Sequence, residues 1–200
     1  MNAYDDGRVS AGAGPLLEPA LEELRARLSA DLEAVAAAIA GLTQAQADWR
    51  PTPESWSVGE TLHHLALSNR TFVIVAKKLI QRGRREALTP GPDSRRSWSR
   101  LRSIADAAVS GPVKNPDRVT PTHGLPIEQL RQDLAASHAA VQEQIPALAG
   151  LDLEALRMPH PLGFELNLYH WVDITGAHEH RHLAQIRAIM AAPGFPPAAG

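Results

Sequence analysis

Two histidines near the end of the chain have the spacing of a metal site. His178 and His182 are four residues apart, so an α-helix would place both imidazoles on one face, within reach of one ion. A third histidine from another helix would complete a three-ligand site with one open coordination position. Such an open position is where chemistry takes place or a small ligand binds.

Helical phase, at about 100° per residue, separates the inward-facing histidines from the others. His178 and His182 share a narrow arc with Trp171, Ile174, Gln185 and Ile189. His180 lies about 160° from that arc, and a satisfied pair of core histidines remains the alternative to a metal site.

The third ligand is expected from an earlier helix. There, His64 lies about 70° from the centre of the apolar stripe and His63 about 170° from it, so phase selects His64 as the candidate. His138 also lies on a core stripe and is interpreted as a core histidine, with a role beside a ligand as the alternative.

Apolar periodicity predicts four amphipathic helices, at about 16–39, 57–82, 126–148 and 167–191. Ser57 and Glu60 have the capping-box spacing at the start of the second helix, and Pro146 should kink or end the third early. No segment predicts a strand. The fold class is therefore all-α, a four-helix bundle at 16–191, with a disordered tail at 1–15 and a flexible tail at 192–200.

A long irregular connection separates the second and third helices, at 83–125, with a short helix expected at 97–109. It is rich in proline and glycine, and arginines lie at its start and middle: Arg82, Arg84, Arg85, Arg95, Arg96, Arg100 and Arg102. We interpret this segment as a solvated surface excursion, because aromatic residues are sparse there; contact with an anionic substrate or nucleic acid is the alternative.

Composition narrows the classes of function. The chain has 200 residues, 44% of them hydrophobic, and a net charge of −2, so no global charge favours nucleic acid or an anionic membrane. Cysteine is absent, which excludes disulfides and a protein thiol nucleophile. No apolar run is long enough to span a bilayer, and residues 1–14 do not resemble a signal peptide, so a cytoplasmic protein is expected.

Residues 178–182 also match the H-E-x-x-H pattern of zinc proteases, in which the glutamate is the general base. Those enzymes commonly take a third ligand from further downstream. No Asp, Glu or His follows His182 here, and Glu179 lies about 100° around the helix from His178. A protease is therefore disfavoured.

Two longer segments resemble a known family. Residues 56–65, WSVGETLHHL, resemble the W-S-x-x-E-x-L-x-H-L segment of the DinB-like (DinB/YfiT) superfamily, and Arg50-Pro51 before them also fits. His160-Pro161-Leu162-Gly163, Trp171 and then residues 178–186, HEHRHLAQI, resemble its closing segment, H-P-x-G through H-x-x-x-H-x-x-Q-I. No such similarity is found at 83–125.

The resemblance implies a four-helix bundle that holds one divalent ion on His64, His178 and His182; zinc and nickel both suit imidazole ligands, which do not choose between them. It also implies a metal-dependent enzyme of the thiol S-transferase or hydrolase type, acting with a small-molecule substrate or a low-molecular-weight thiol, and a homodimer. The alternative is a non-catalytic protein in which the triad is a structural clasp between helices.

No catalytic residue is assigned from the sequence. Glu60 is interpreted first as a helix cap, and Gln185 either orients a ligand or joins two helices. Trp56 and Trp171 lie nearest the site in sequence, although tryptophans at such positions more often belong to the core.

Overall fold

The computed structural model describes residues 19–91, 116–160 and 163–197, and these residues are mainly helical. Within these ranges the α-helices are α1 (Pro19–Ile39), α2 (Gln44–Asp48), α3 (Val58–Arg85), α4 (Ile127–Gln144) and α5 (Leu168–Met190). Two 3-10 turns lie at Asp117–Val119 and Pro146–Leu148, and two short strands, β1 (Arg157–Pro159) and β2 (Glu165–Asn167), pair in antiparallel fashion. The predicted all-α class is confirmed.

The four long helices surround a shared core. Helix α1 packs on α5, α5 on α3, α3 on α4, and α4 on α1. Two apolar clusters fill the interior. One lies where α3 begins and α5 ends and includes Leu62, Leu65 and Ile186; the other lies toward the opposite end and includes Phe72 and Val172.

A buried polar layer lies between the two apolar clusters. It consists of Asn69 on α3, Ser137 and His138 on α4, and Glu179 on α5, and each of these residues is at most 9% exposed. Burying polar groups costs folding free energy unless they form hydrogen bonds. This layer therefore calls for a specific explanation that apolar packing does not provide.

The start of α3 is fixed by the predicted capping box. Ser57 Oγ accepts a hydrogen bond from the Glu60 backbone N–H at 3.1 Å, and Glu60 Oε2 accepts from the Ser57 N–H at 2.9 Å. Arg50 donates to both carboxylate oxygens of Glu60, at 2.8 and 2.6 Å. Glu60 therefore has the structural role expected of it, and the cap fixes the first turns of the helix that carries His64.

The end of α3 differs from the sequence prediction, which placed it near residue 82. The helix continues to Arg85, and Gly83 packs closely within its last turn, where a Cβ would lie 3.0 Å from Leu156 Cδ1. Two residues after the helix ends, Ala87 has a φ of +51°, and the Leu88 N–H bonds back to the Gly83 carbonyl at 2.9 Å. This is the Schellman arrangement, with alanine in the position that usually holds glycine.

The prediction that the chain contains no strand was wrong. Residues 157–159 pair with 165–167, and the His160 N–H donates to the Phe164 carbonyl at 2.7 Å. Gly163, with a φ of +89°, adopts the left-handed backbone that this turn requires. Three-residue strands are too short to show the alternation by which strands are recognised in a sequence.

Helix α4 ends before Pro146 as predicted, and the 3-10 turn follows it. Helix α5 begins after Asn167, whose side chain accepts from the His170 N–H at 2.9 Å, the expected N-cap. Helix α2, with its own capping box between Thr43 and Gln46, had not been predicted.

The expected short helix at 97–109 lies outside the described residues, and the division of the chain at 1–15, 16–191 and 192–200 stays a prediction.

Within the last segment, Phe195 packs edge-on against Trp49, and the Pro196 carbonyl accepts from Gln46 Nε2 at 2.9 Å. In the described part of the chain, no helix combines the length and hydrophobicity needed to cross a membrane.

Replacing Ser57 with alanine should lower the free energy of unfolding by about 1 kcal/mol, because it leaves the first turn of α3 without its side-chain acceptor. Urea unfolding of both proteins measures the difference. Ser55→Ala is the matched control: Ser55 bonds only to Thr52 at the surface and should change stability by less than about 0.5 kcal/mol. Equal effects of the two substitutions would contradict the role of the cap.

Candidate metal centre

Three histidine rings from two helices meet at one point. His64 comes from the second turn of α3, and His178 and His182 come from consecutive turns of α5. His178 Nε2 lies 3.1 Å from His64 Nε2 and 3.0 Å from His182 Nε2. One ligand atom of each ring lies within 4.8 Å of the others, so the structure brings together the three residues selected from the sequence.

Hydrogen bonds on the far side of two rings determine which nitrogens are free. His64 Nδ1 lies 2.7 Å from the Val119 carbonyl, which can only accept, so Nδ1 carries the proton. His182 Nδ1 lies 2.8 Å from Gln185 Oε1 and donates to it in the same way. In neutral imidazole only one nitrogen is protonated, so the Nε2 atoms of His64 and His182 present bare lone pairs to the centre.

The donor set fits a divalent ion. His178 Nε2 can supply at most one proton, whereas two lone pairs face it, so the three rings cannot satisfy one another by hydrogen bonding alone. A cation at their centre accepts all three lone pairs, and imidazole nitrogen suits zinc and nickel equally well. Of the residues that the structure describes, no fourth His, Asp or Glu side chain joins the cluster, which leaves room for an external ligand.

Burial keeps these rings neutral. It lowers the pKa of His64, with a partly opposing effect from the Val119 carbonyl, and lowers that of His178 strongly, reinforced by His182 and His64. The pKa of His182 falls to about 4, first through burial and then through His64. Neutral imidazole is the form that binds metal, so at neutral pH the three histidines have the protonation state that metal binding requires.

One tryptophan borders the triad, and two other aromatic residues contact His160. The Trp56 indole lies 5.0 Å from the His64 ring and stacks on His182 at 6.4 Å, with 20° between the planes. His160 follows β1, and its ring lies 4.8 Å from Phe164 and 5.1 Å from Trp171. Burial, followed by the charge of nearby Arg118, lowers the pKa of His160 to about 4. Trp56 thus borders the site directly, and Trp171 contacts the His160 ring.

The other histidines that the sequence separated from the triad have different partners. His63 Nδ1 accepts from the Thr122 N–H at 2.9 Å. His180 is exposed and its Nδ1 lies 3.3 Å from Asp31 Oδ1. His138 is a core residue whose Nε2 lies 3.3 Å from Glu179 Oε1, which agrees with the core interpretation. Gln185 bonds to the His182 ring and so orients it, which is compatible with one of its two expected roles.

The glutamate of the H-E-x-x-H pattern does not face the triad. Glu179 is 0% exposed and accepts a hydrogen bond from Asn69 Nδ2 at 2.8 Å, in the buried polar layer. It is bonded within the core and is not directed at the centre of the triad, where the general base of the protease pattern acts. The contribution of Val119 to the site had no signal in the sequence, because a backbone carbonyl acts there and any residue type supplies one.

The metal-free protein should lose stability as the pH falls from 6.5 toward 4. The folded-state pKa of His182 and of His160 is about 4, whereas the unfolded value is about 6.5. Within this window the unfolded chain binds more protons than the folded one, so acid favours unfolding; above about pH 6.5 these groups contribute nothing. Urea midpoints at several pH values measure the slope.

Between pH 6.5 and 5 this slope comes mainly from the histidines, while Asp31, whose pKa is raised by burial, opposes it toward the acid end. Glu60 titrates lower, because the hydrogen bonds from Arg50 and Ser57 outweigh the effect of burial and lower its pKa. His182→Gln should flatten the curve in this interval. A wild-type curve that is already flat there would contradict the assigned protonation states.

Comparison with known proteins agrees with this architecture. A family model described as the DinB superfamily matches residues 27–186. A relative from Bacillus subtilis (strain 168), named "Uncharacterized protein YuaE", is 28% identical over 150 residues, which cover 74% of this chain and 86% of that protein. No solved structure gave a significant match. Since the family match covers most of the chain and includes all three converging histidines, the chain belongs to the DinB superfamily.

Proposed function

We propose that the protein is a metal-dependent enzyme of the thiol S-transferase or hydrolase type, in which His64, His178 and His182 hold one divalent ion. One observation carries the proposal: three Nε2 atoms converge, and two of them are held unprotonated by bonds from Nδ1 to Val119 and Gln185. The Nε2 atoms have more lone pairs than protons to share, and a bound cation would accept the lone pairs that remain.

The ion would supply a Lewis acid that lowers the pKa of water or of a small thiol at the open position. The chain itself orients the histidine rings and shields one side of the triad from water. The Val119 carbonyl and Gln185 hold two rings in one tautomer, and the Trp56 indole covers one side of the triad. Because the chain has no cysteine, a sulfur nucleophile would have to come from a small-molecule thiol.

A small-molecule substrate is the partner that we propose, in preference to nucleic acid or a membrane, because the net charge is only −2. The resemblance to relatives that form dimers supports the further proposal of a homodimer.

A second candidate is a structural site without catalysis. It is favoured by the fact that the ligands come from two packed helices and that His64 and His182 are buried, so an ion would clasp α3 to α5. The two candidates differ in coordination. A structural site fills all four positions with protein ligands, whereas three histidines leave one position for exchange.

Removing any one ligand should abolish stable metal binding. His64→Ala, His178→Ala and His182→Ala should each reduce zinc or nickel content from about one per chain to less than about a tenth, because two imidazoles alone bind weakly. Elemental mass spectrometry on tag-free protein after dialysis measures this.

The matched controls are the neighbouring histidines. His63→Ala and His180→Ala lie next to ligands in sequence but have other partners, and both should keep the wild-type metal content. Wild-type metal content in all three triad variants would show that the histidines are core residues, and the function proposed here would then be wrong.

Activity should require the loaded site. Zinc- or nickel-loaded protein, tested with electrophiles plus small thiols and with ester and amide substrates, should show turnover that His178→Ala loses by at least about 100-fold. His180→Ala should retain it. Full metal occupancy with no turnover, together with unfolding of the protein on chelation, would support the structural clasp instead.

A further inference from the structure

Glu179 is a buried carboxyl group that the proposed chemistry does not use. It is 0% exposed, follows His178 directly, and points away from the triad into the buried polar layer. Its Oε1 atom accepts from Asn69 Nδ2 at 2.8 Å, and the same amide lies 3.3 Å from Ser137 Oγ, which in turn donates to the Leu134 carbonyl.

The neighbouring His138 does not complete this layer. Its Nε2 atom lies 3.3 Å from Glu179 Oε1 but forms no hydrogen bond with it. Within the described residues, Glu179 Oε2 also has no hydrogen-bond partner. An apolar side chain would fill such a position at lower cost, so the carboxyl group does not serve stability alone. Buried polar groups of this kind are best known for fixing the register of packed helices.

The bond between Glu179 and Asn69 joins the two helices that carry the ligands. Asn69 lies five residues after His64 on α3, about 7.5 Å along the helix axis. Glu179 precedes His182 by three residues on α5. Because neighbouring side chains differ by about 100° around a helix, a fixed direction for Glu179 also fixes the directions of His178 and His182.

We propose that Glu179, held by Asn69, is a positioning residue for the metal site: it sets the rotation of α5 against α3 so that His178 and His182 meet His64. The inference rests on the proposed function, because it takes the triad to be a metal site. Ligand geometry tolerates errors of only about 0.5 Å or 10–20°, so a small rotation of α5 would weaken metal binding.

Cobalt(II) is a suitable probe, because its visible absorption reports coordination geometry and its affinity can be measured by competition with a chelator. Glu179→Ala and Asn69→Ala should each weaken Co²⁺ binding by about 10-fold or more and alter the visible spectrum, a magnitude typical of lost support around metal ligands. Glu179→Gln should restore affinity to within about 3-fold, because the amide oxygen accepts the same hydrogen bond.

Asp173 is the matched control. It is also a buried acid on α5, 3% exposed, and pairs with Arg27 of α1 and not with α3. Asp173→Ala should lower the melting temperature, yet leave the affinity for Co²⁺ within about 3-fold of wild type and the spectrum unchanged. Comparing it with Glu179→Ala separates positioning from a general loss of stability.

Three outcomes would overturn the inference: unchanged affinity and spectrum in Glu179→Ala and Asn69→Ala, an equal loss of affinity in Asp173→Ala, or a Glu179→Gln variant that behaves like Glu179→Ala. If Glu179→Ala does not fold, the Co²⁺ affinity and spectrum of Asn69→Ala and Glu179→Gln test the inference in its place. Failure of the wild-type protein to bind Co²⁺ is a different result, because it would reject the metal site itself.

Discussion

Three imidazole nitrogens converge between α3 and α5, and two of them direct lone pairs at the third. Lone pairs 3.0–3.1 Å apart repel one another unless a proton or a cation lies between them, and two of these rings have their protons on the opposite side. The helices must therefore be held firmly enough to keep an arrangement that the rings alone do not favour. Caps, close packing and the buried polar layer supply that rigidity.

Each element near the site meets part of this requirement. The capping box at Ser57 and the paired Arg50 fix the start of α3, one turn before His64. The turn at 117–119 contributes a backbone carbonyl, which cannot be lost by substitution of its side chain. The hairpin before α5 places His160 against Trp171. The site is thus assembled from segments distant in sequence, but each is anchored by local hydrogen bonds.

Features that repeat along a helix could be predicted from the sequence, and features that depend on a single contact could not. Periodicity gave the four long helices, and phase separated His64 from His63, because both follow from 3.6 residues per turn. The end of α3 was misplaced because Gly83 packs against Leu156, a contact between distant segments. The two strands were missed since three residues show no period. Metal occupancy by the triad stays a prediction.

The H-E-x-x-H match shows that a motif implies a mechanism only if its side chains point toward the site. In the proteases the glutamate acts on water at the metal, whereas here the residue at that position bonds to Asn69 in the core. One step along a helix changes direction by about 100°, and which neighbour faces the site is decided by packing against other helices. A chain can therefore match the three residues that this pattern specifies while its glutamate faces the core and not the histidine cluster.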